Sequence, residues 1–329
     1  MVLLMVIIGG ITRLTHSGLS IVTWQPIKGI LPPMNEVEWQ QAFEAYQKIP
    51  EYQQVHHYFT LKEYKQIFFW EYFHRILGRS LGLIFLIPFL YFYFSKRIKS
   101  KKLLKRLFLI FTLGGLQGLA GWYMVKSGLV ENTSVDHVRL ALHMSLALII
   151  LTTIIWTVLE LLIPPEQTQN LKKLNTYLKI MLVFMVVQII YGGLTAGLKA
   201  GHVFPTYPKM GGKWIPQISY EVYKQEAWLS FFNFPATVQF IHRWLGFIIL
   251  LGLLVLIYFY KNKMNSTLIK KTLILIVVLV SLQYLFGVIV IILKVPISLA
   301  VTHQITAFLL FLTILSGLYL TRKRKNIYQ

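Results

Sequence analysis

Residues 67–94 read IFFWEYFHRILGRSLGLIFLIPFLYFYF. A helix needs about 20 mostly apolar residues to cross the hydrocarbon of a bilayer, and this run exceeds that. Near its start it carries Glu71, His74 and Arg75. Ionisable side chains are costly at that depth, so each marks a candidate functional site. Working outward, similar apolar runs recur at 104–126, 136–163, 173–198, 236–260, 268–293 and 296–321. The 329-residue chain is 56% hydrophobic, with a mean hydropathy of +0.59. The expected fold class is an all-α polytopic membrane protein. The apolar segment 1–11 spans only about 17 Å as a helix. We read it as a first transmembrane helix whose start precedes this sequence, which makes eight. A short interfacial stub is the alternative. No cleavable signal pattern or Arg-rich transit segment is visible.

The net charge of +21 raises the question of nucleic acid, and its distribution answers it. The segments 95–106, 164–172 and 261–271, the C-terminal tail and the adjoining helix ends hold 18 of the 33 Lys/Arg but two of the 12 acids, Glu160 and Glu166. Such asymmetry follows the positive-inside rule. These runs, Lys96–Arg106 and Arg322–Lys325 among them, are expected to face the cytoplasm near anionic lipid and to bind no nucleic acid. The residues 12–66 and 199–235 then form two large outer loops. Glu36 to Lys48 fits a surface helix, and Pro205, Pro208, Gly211-Gly212 and Pro216 imply turns.

Three more histidines sit in apolar runs: His143, His242 and His303. All four lie about seven residues after the expected starts of their helices, about 10 Å below the outer surface. The chain also repeats. Gly9-Gly10-Ile11-Thr12 matches Gly192-Gly193-Leu194-Thr195, and His74-Arg75-Ile76-Leu77-Gly78 matches His242-Arg243-Trp244-Leu245-Gly246. Gln117, Gly121 and His143 match Gln283, Gly287 and His303. Two pseudo-symmetric four-helix bundles follow, residues 1–165 and 166–329, each with one histidine pair.

A single intramembrane histidine often serves only as a hydrogen bond between helices. Four at one depth, paired by a repeat, point instead to two bis-histidine sites for haem or a transition metal. Each is followed four residues later by a small residue, Gly78, Ala147, Gly246 or Ala307, on the same helix face. That leaves room for a flat macrocycle. Zinc would more often recruit a carboxylate or cysteine. The chain has no cysteine, which excludes disulfides, thiolate ligation and iron–sulfur clusters. Arg75, Arg243 and Arg139 are candidates to pair with haem propionates, or else anchors reaching for the interface.

One asymmetry stands out. Glu71 lies three residues before His74, and the matching residue of the C-terminal half is Gln239. A carboxylate there can act as acid, base or cation stabiliser, which an amide cannot; simple pairing with Arg75 is the competing reading. The N-terminal half is therefore expected to be reactive, and the C-terminal half to be a fixed cofactor site. His16, His56, His57 and His202 fall in loops and are expected to be solvated. His137 marks the start of a helix, and Trp70, Trp122, Trp228 and Trp244 fit an interfacial belt.

With these residues the chain resembles the haem A synthase family. The matching segments are Gly9-Gly10-Ile11-Thr12-Arg13-Leu14, Ser17-Gly18-Leu19-Ser20, Glu71-Tyr72-Phe73-His74-Arg75 with Leu77-Gly78-Arg79, the His143 segment, Gly211-Gly212-Lys213-Trp214-Ile215-Pro216, His242-Arg243 and Thr302-His303. The resemblance covers nearly the whole chain. It implies oxidation of a methyl group of haem O to the formyl group of haem A, for cytochrome oxidase assembly. It also implies that His74 and His143 hold haem O as substrate, that Glu71 serves the chemistry, and that His242 and His303 ligate haem b. Some members carry cysteine pairs in outer loops, so this chain resembles the cysteine-free subtype of many proteobacteria and mitochondria. Contact with the farnesyl transferase that makes haem O is implied as well. The acceptor of the electrons is not identified by any residue, and a homo-oligomer stays open. The expected location is a bacterial inner membrane, with the haem sites toward the periplasm and a mitochondrial inner membrane the weaker option. Two other readings compete. A di-haem b-type electron carrier would stack its haems across the membrane, and a transporter would need an ionisable midplane site.

Overall fold

The computed structural model describes residues 1–23, 28–130, 132–260 and 266–322. The basic runs at 261–265 and beyond 322 lie outside them. The α-helices are α1 (Val2–Leu14), α2 (Glu36–Gln47), α3 (Leu61–Phe94), α4 (Lys101–Val130), α5 (His137–Leu162), α6 (Lys172–Gly197), α7 (Gln217–Glu226), α8 (Ser230–Asn233), α9 (Pro235–Tyr260), α10 (Thr267–Ile292) and α11 (Ile297–Leu320). Among the described residues the only extended pairing is the isolated bridge between Met210 and Lys213.

Seven of the described helices, α3 to α6 and α9 to α11, are long and apolar enough to cross a membrane. Between 11% and 33% of each one's most apolar stretch is buried in the protein. The rest is not buried within the protein, which leaves apolar helix surface that water would not tolerate and lipid does. The protein is therefore a multi-pass membrane protein. The apolar α1, at 13 residues, falls short of that length.

Local chemistry sets the helix ends. The expected start of α3 at 67 is six residues late, because Thr60 and Glu63 form a capping box. The box satisfies the free N–H groups of the first turn and adds a polar turn and a half to the apolar run. Asn35 caps α2 by accepting from the Glu38 N–H at 2.9 Å, which fixes the expected surface helix.

The chain divides into two compact units, Met1–Leu146 and Ala147–Gln329, with the division inside α5. In the first unit α1 and α4 pack on α3. Phe43 and Tyr46 of α2 join Leu19, Ile49, Tyr64, Ile67 and Phe68 in a buried aromatic-rich cluster. In the second unit α6, α9, α10 and α11 pack together. At one end of that unit Asn175 Nδ2 donates to Leu318 O at 2.8 Å and Thr321 Oγ1 at 3.0 Å. The Gln169 N–H donates to Leu320 O at 2.9 Å. The bonds to Leu318 and Leu320 use carbonyls at the end of α11, where the helix leaves acceptors free.

Candidate functional site

Each of the four intramembrane histidines rests on a glycine of the preceding long helix or, for His74, of α1. A Cβ added to Gly9 would lie 3.2 Å from Nε2 of His74, and one on Gly121 3.2 Å from Cε1 of His143. In the second unit a Cβ on Gly192 would lie 3.4 Å from Cε1 of His242, and one on Gly287 2.9 Å from Cε1 of His303. At the tighter of these distances even a methyl group would displace the ring, so glycine is what allows the imidazole to reach this position. The sequence repeat contains all four glycines. Which residue each one faces is a property of helix packing and cannot be read from the chain.

Glutamine is the second recurring partner. Gln117 Nε2 donates to the His143 carbonyl at 3.1 Å and lies 3.3 and 3.2 Å from the Nδ1 and Nε2 ring nitrogens. Gln188 Nε2 donates to the His242 carbonyl at 3.0 Å. Gln283 Nε2 lies 3.3 Å from Nε2 of His303. In each helix the glutamine precedes the histidine-facing glycine by four residues, one turn along the same face. Gln188 is a site residue that the sequence reading misses, although the spacing it shares with Gln117 and Gln283 is visible there.

The second unit brings His242 and His303 together, with ring centroids 6.5 Å apart and ring planes at 82°. Nδ1 of both rings is buried and has no hydrogen-bond partner, and neither has Oε1 of Gln283 or Gln188. Buried polar atoms are nearly always bonded, so these exceptions call for an explanation, and a bound group between the two rings is one. Two such imidazoles, backed by glycine, fit a metal-centred group such as haem. Of the expected starting distances, His143, His242 and His303 lie six, seven and six residues into their helices, but His74 lies thirteen into α3 because of the capping turn.

In the first unit Glu71 is 3% exposed. Its Oε2 accepts from Ser20 Oγ and from the Ile21 N–H, both at 2.8 Å. Its Oε1 accepts from Arg75 Nε at 3.1 Å and Nη2 at 2.7 Å. Arg75 Nη2 also donates to Ile21 O at 2.9 Å and Nη1 to Thr23 O at 3.3 Å. The second unit repeats this clamp without the charge. Gln239 Nε2 donates to Phe204 O at 3.3 Å, and Arg243 donates to Phe204 O and, at 2.7 Å, to Thr206 O. Ile21 and Phe204 are 183 residues apart, as are Thr23 and Thr206 and the Gly9/Gly192 pair. The repeat thus extends into the loops after α1 and α6. Arg139 is engaged differently: it donates to Tyr123 O at 3.0 Å and stacks 4.0 Å above the Tyr123 ring.

Two loop histidines depart from expectation: His16 is half-buried, its Nδ1 3.9 Å from Glu51 Oε1, and His56 departs further. His56 is 6% exposed rather than solvated. Its Nδ1 lies 2.7 Å from the hydroxyl of the fully buried Tyr46, which also donates to Glu51 Oε2 at 3.3 Å. Burial and the neighbouring Glu51 carboxylate push the Tyr46 phenol up from its ordinary range. His57 and His202 are exposed as expected.

The family model described as cytochrome oxidase assembly protein (COX15-CtaA) matches residues 1–315. The chain belongs to this family. A protein of Wolbachia pipientis named heme A synthase is 43% identical over 98% of this chain and 90% of its own length. One of the same name from Flavobacterium psychrophilum is 40% identical over 95% and 92%. A third, from Nitrosospira multiformis, is 42% identical over 94% and 87%. The matched span contains the four histidines with their glycines and glutamines, as well as Glu71 and Gln239.

Proposed function

We infer that this protein is a haem A synthase, an oxidoreductase that converts a methyl group of haem O into the formyl group of haem A. Family membership over nearly the whole chain supports the activity. The single structural observation that carries the division of labour is Glu71, a buried carboxylate with four donors in one unit, against Gln239 at the matching place in the other. We assign haem O to His74 and His143, and a resident haem b to His242 and His303. The conversion removes four electrons and four protons when water provides the oxygen atom, and an external electron acceptor takes up the electrons. Haem b supplies a one-electron relay for that traffic when it is bound.

The protein's own residues do the rest. His74 and His143 orient the substrate, with Gly9 and Gly121 giving their rings room. Glu71 presents a fixed negative charge held by Arg75, Ser20 and Ile21, suited to steadying positive charge that develops on the reacting carbon. Arg75 and Arg243, near the same end of their helices, are the groups we assign to the propionates, with Arg139 third.

The finer architecture belongs to this reading. We take α1 as the first of eight spans and residues 1–165 and 166–329 as two four-helix halves. The charge asymmetry supports basic loops in the cytoplasm and haem sites toward the periplasm of a bacterial inner membrane. Transfer of haem O from the farnesyl transferase is the expected supply. Membranes carrying the protein and that transferase should accumulate haem A on chromatography of extracted haem. Haem O without haem A would overturn the assignment.

A further inference from the structure

Three of the four histidines have a glutamine one turn before their glycine: Gln117 with Gly121, Gln188 with Gly192, and Gln283 with Gly287. The fourth, His74, has Met5 before Gly9. The equivalence is structural as well as positional. Gln188 Nε2 lies 3.1 Å from a Cβ added to Gly246, four residues after His242, and Met5 Cε lies 3.4 Å from a Cβ added to Gly78, four residues after His74. Met5 and Gln188 are also 183 residues apart, the offset of the Gly9/Gly192 pair.

The two side chains differ in what they bind. Gln188 ties α6 to α9 by donating to the His242 carbonyl at 3.0 Å. A thioether has no N–H to donate and is the most adaptable of apolar side chains. Beside the histidine's glycine α1 therefore lacks the tether that α6 has; its side-chain bond to α3 lies two turns further on, where Thr12 Oγ1 is 3.3 Å from Trp70 O, while Thr195 Oγ1 at the matching place of α6 has no partner.

We propose that Met5 sets the rate at which the haem held by His74 is exchanged, because it leaves α1 and α3 without the amide tether that Gln188 gives α6 and α9. This rests on the assignment of the substrate to the first half. Substrate must enter and product must leave at every turnover, whereas a resident cofactor must not. One amide bond changes an equilibrium by about three- to tenfold, enough to separate the two behaviours.

The test uses the full-length protein, loaded by co-expression with the haem O-forming transferase and then mixed with excess apomyoglobin. Chromatography of the haem that remains gives separate release rates for haem b and for haem O or A. Wild type should lose haem O and A faster than haem b. Met5→Gln should slow that loss about three- to tenfold and leave haem b unchanged. Gln188→Met should speed the loss of haem b by a similar factor. Met5→Leu should behave as wild type; slowing by leucine would assign the effect to packing and overturn the proposal. Unchanged release of haem O and A in Met5→Gln also overturns it, whatever Gln188→Met does to haem b. If Met5→Gln does not assemble, Gln188→Met decides alone. If Met5→Gln slows haem b only, the tether stands and the assignment of substrate to the first half falls.

Discussion

Glu71 and Arg75, one turn apart on α3, form a two-pronged pair in which one carboxylate oxygen receives Nε at 3.1 Å and Nη2 at 2.7 Å. The same arginine holds the carbonyls of Ile21 and, through Nη1, Thr23. The two readings of Glu71, ion-pair partner and reactive carboxylate, are therefore not exclusive. The pair fixes the loop after α1 over the histidine end of the unit and keeps a charge beside it. In the second unit Arg243 fixes the equivalent loop, and Gln239 offers no charge.

The glycines under the histidines should differ in tolerance in the order of their clearances. Gly287→Ala places a methyl 2.9 Å from His303 and should be the most damaging, while Gly192→Ala, at 3.4 Å, should be mild. Overpacking of this kind costs about 1–3 kcal/mol. The haem content of the purified variants checks the order; equal loss in both would contradict it.

Arg243→Ala should loosen the loop after α6, since it removes the donor to Phe204 and Thr206. Bonds from a charged donor are worth about 1.5–3 kcal/mol each, less where water replaces them. Faster proteolysis within 199–216 measures the effect. Arg243→Lys should restore little, because an ammonium lacks the planar fork that meets two carbonyls.

Topology is open to a direct check. A fluorescent protein fused after Gln329 should fold and fluoresce in the cytoplasm, and alkaline phosphatase inserted in the 199–235 loop should be active outside it. The reverse pattern would contradict the orientation read from the lysines and arginines.

The spans and the four histidines are legible in the chain because a hydrophobic run and a repeat are local features of a sequence. The start of α3 is displaced because hydropathy is blind to the Thr60–Glu63 capping box. His56 escapes the sequence reading for a related reason: its segment is polar, but Phe43 and Tyr46 of α2 and Tyr64 of α3, all within 13 residues of it, build a buried cluster beneath it once the two helices pack together. The seating of each histidine on a glycine is illegible in the same sense. It depends on which helix lies beside which, and only the spacing of Gln117, Gln188 and Gln283 before their glycines hints at it.

Glu71 carries the central claim, and acid extraction of haem from purified wild type and Glu71→Gln, each co-expressed with the haem O-forming transferase, tests it most directly. The account predicts haem b with haem O and A in wild type, and haem b with haem O but no haem A in the variant. Haem A at the wild-type level in Glu71→Gln would contradict it.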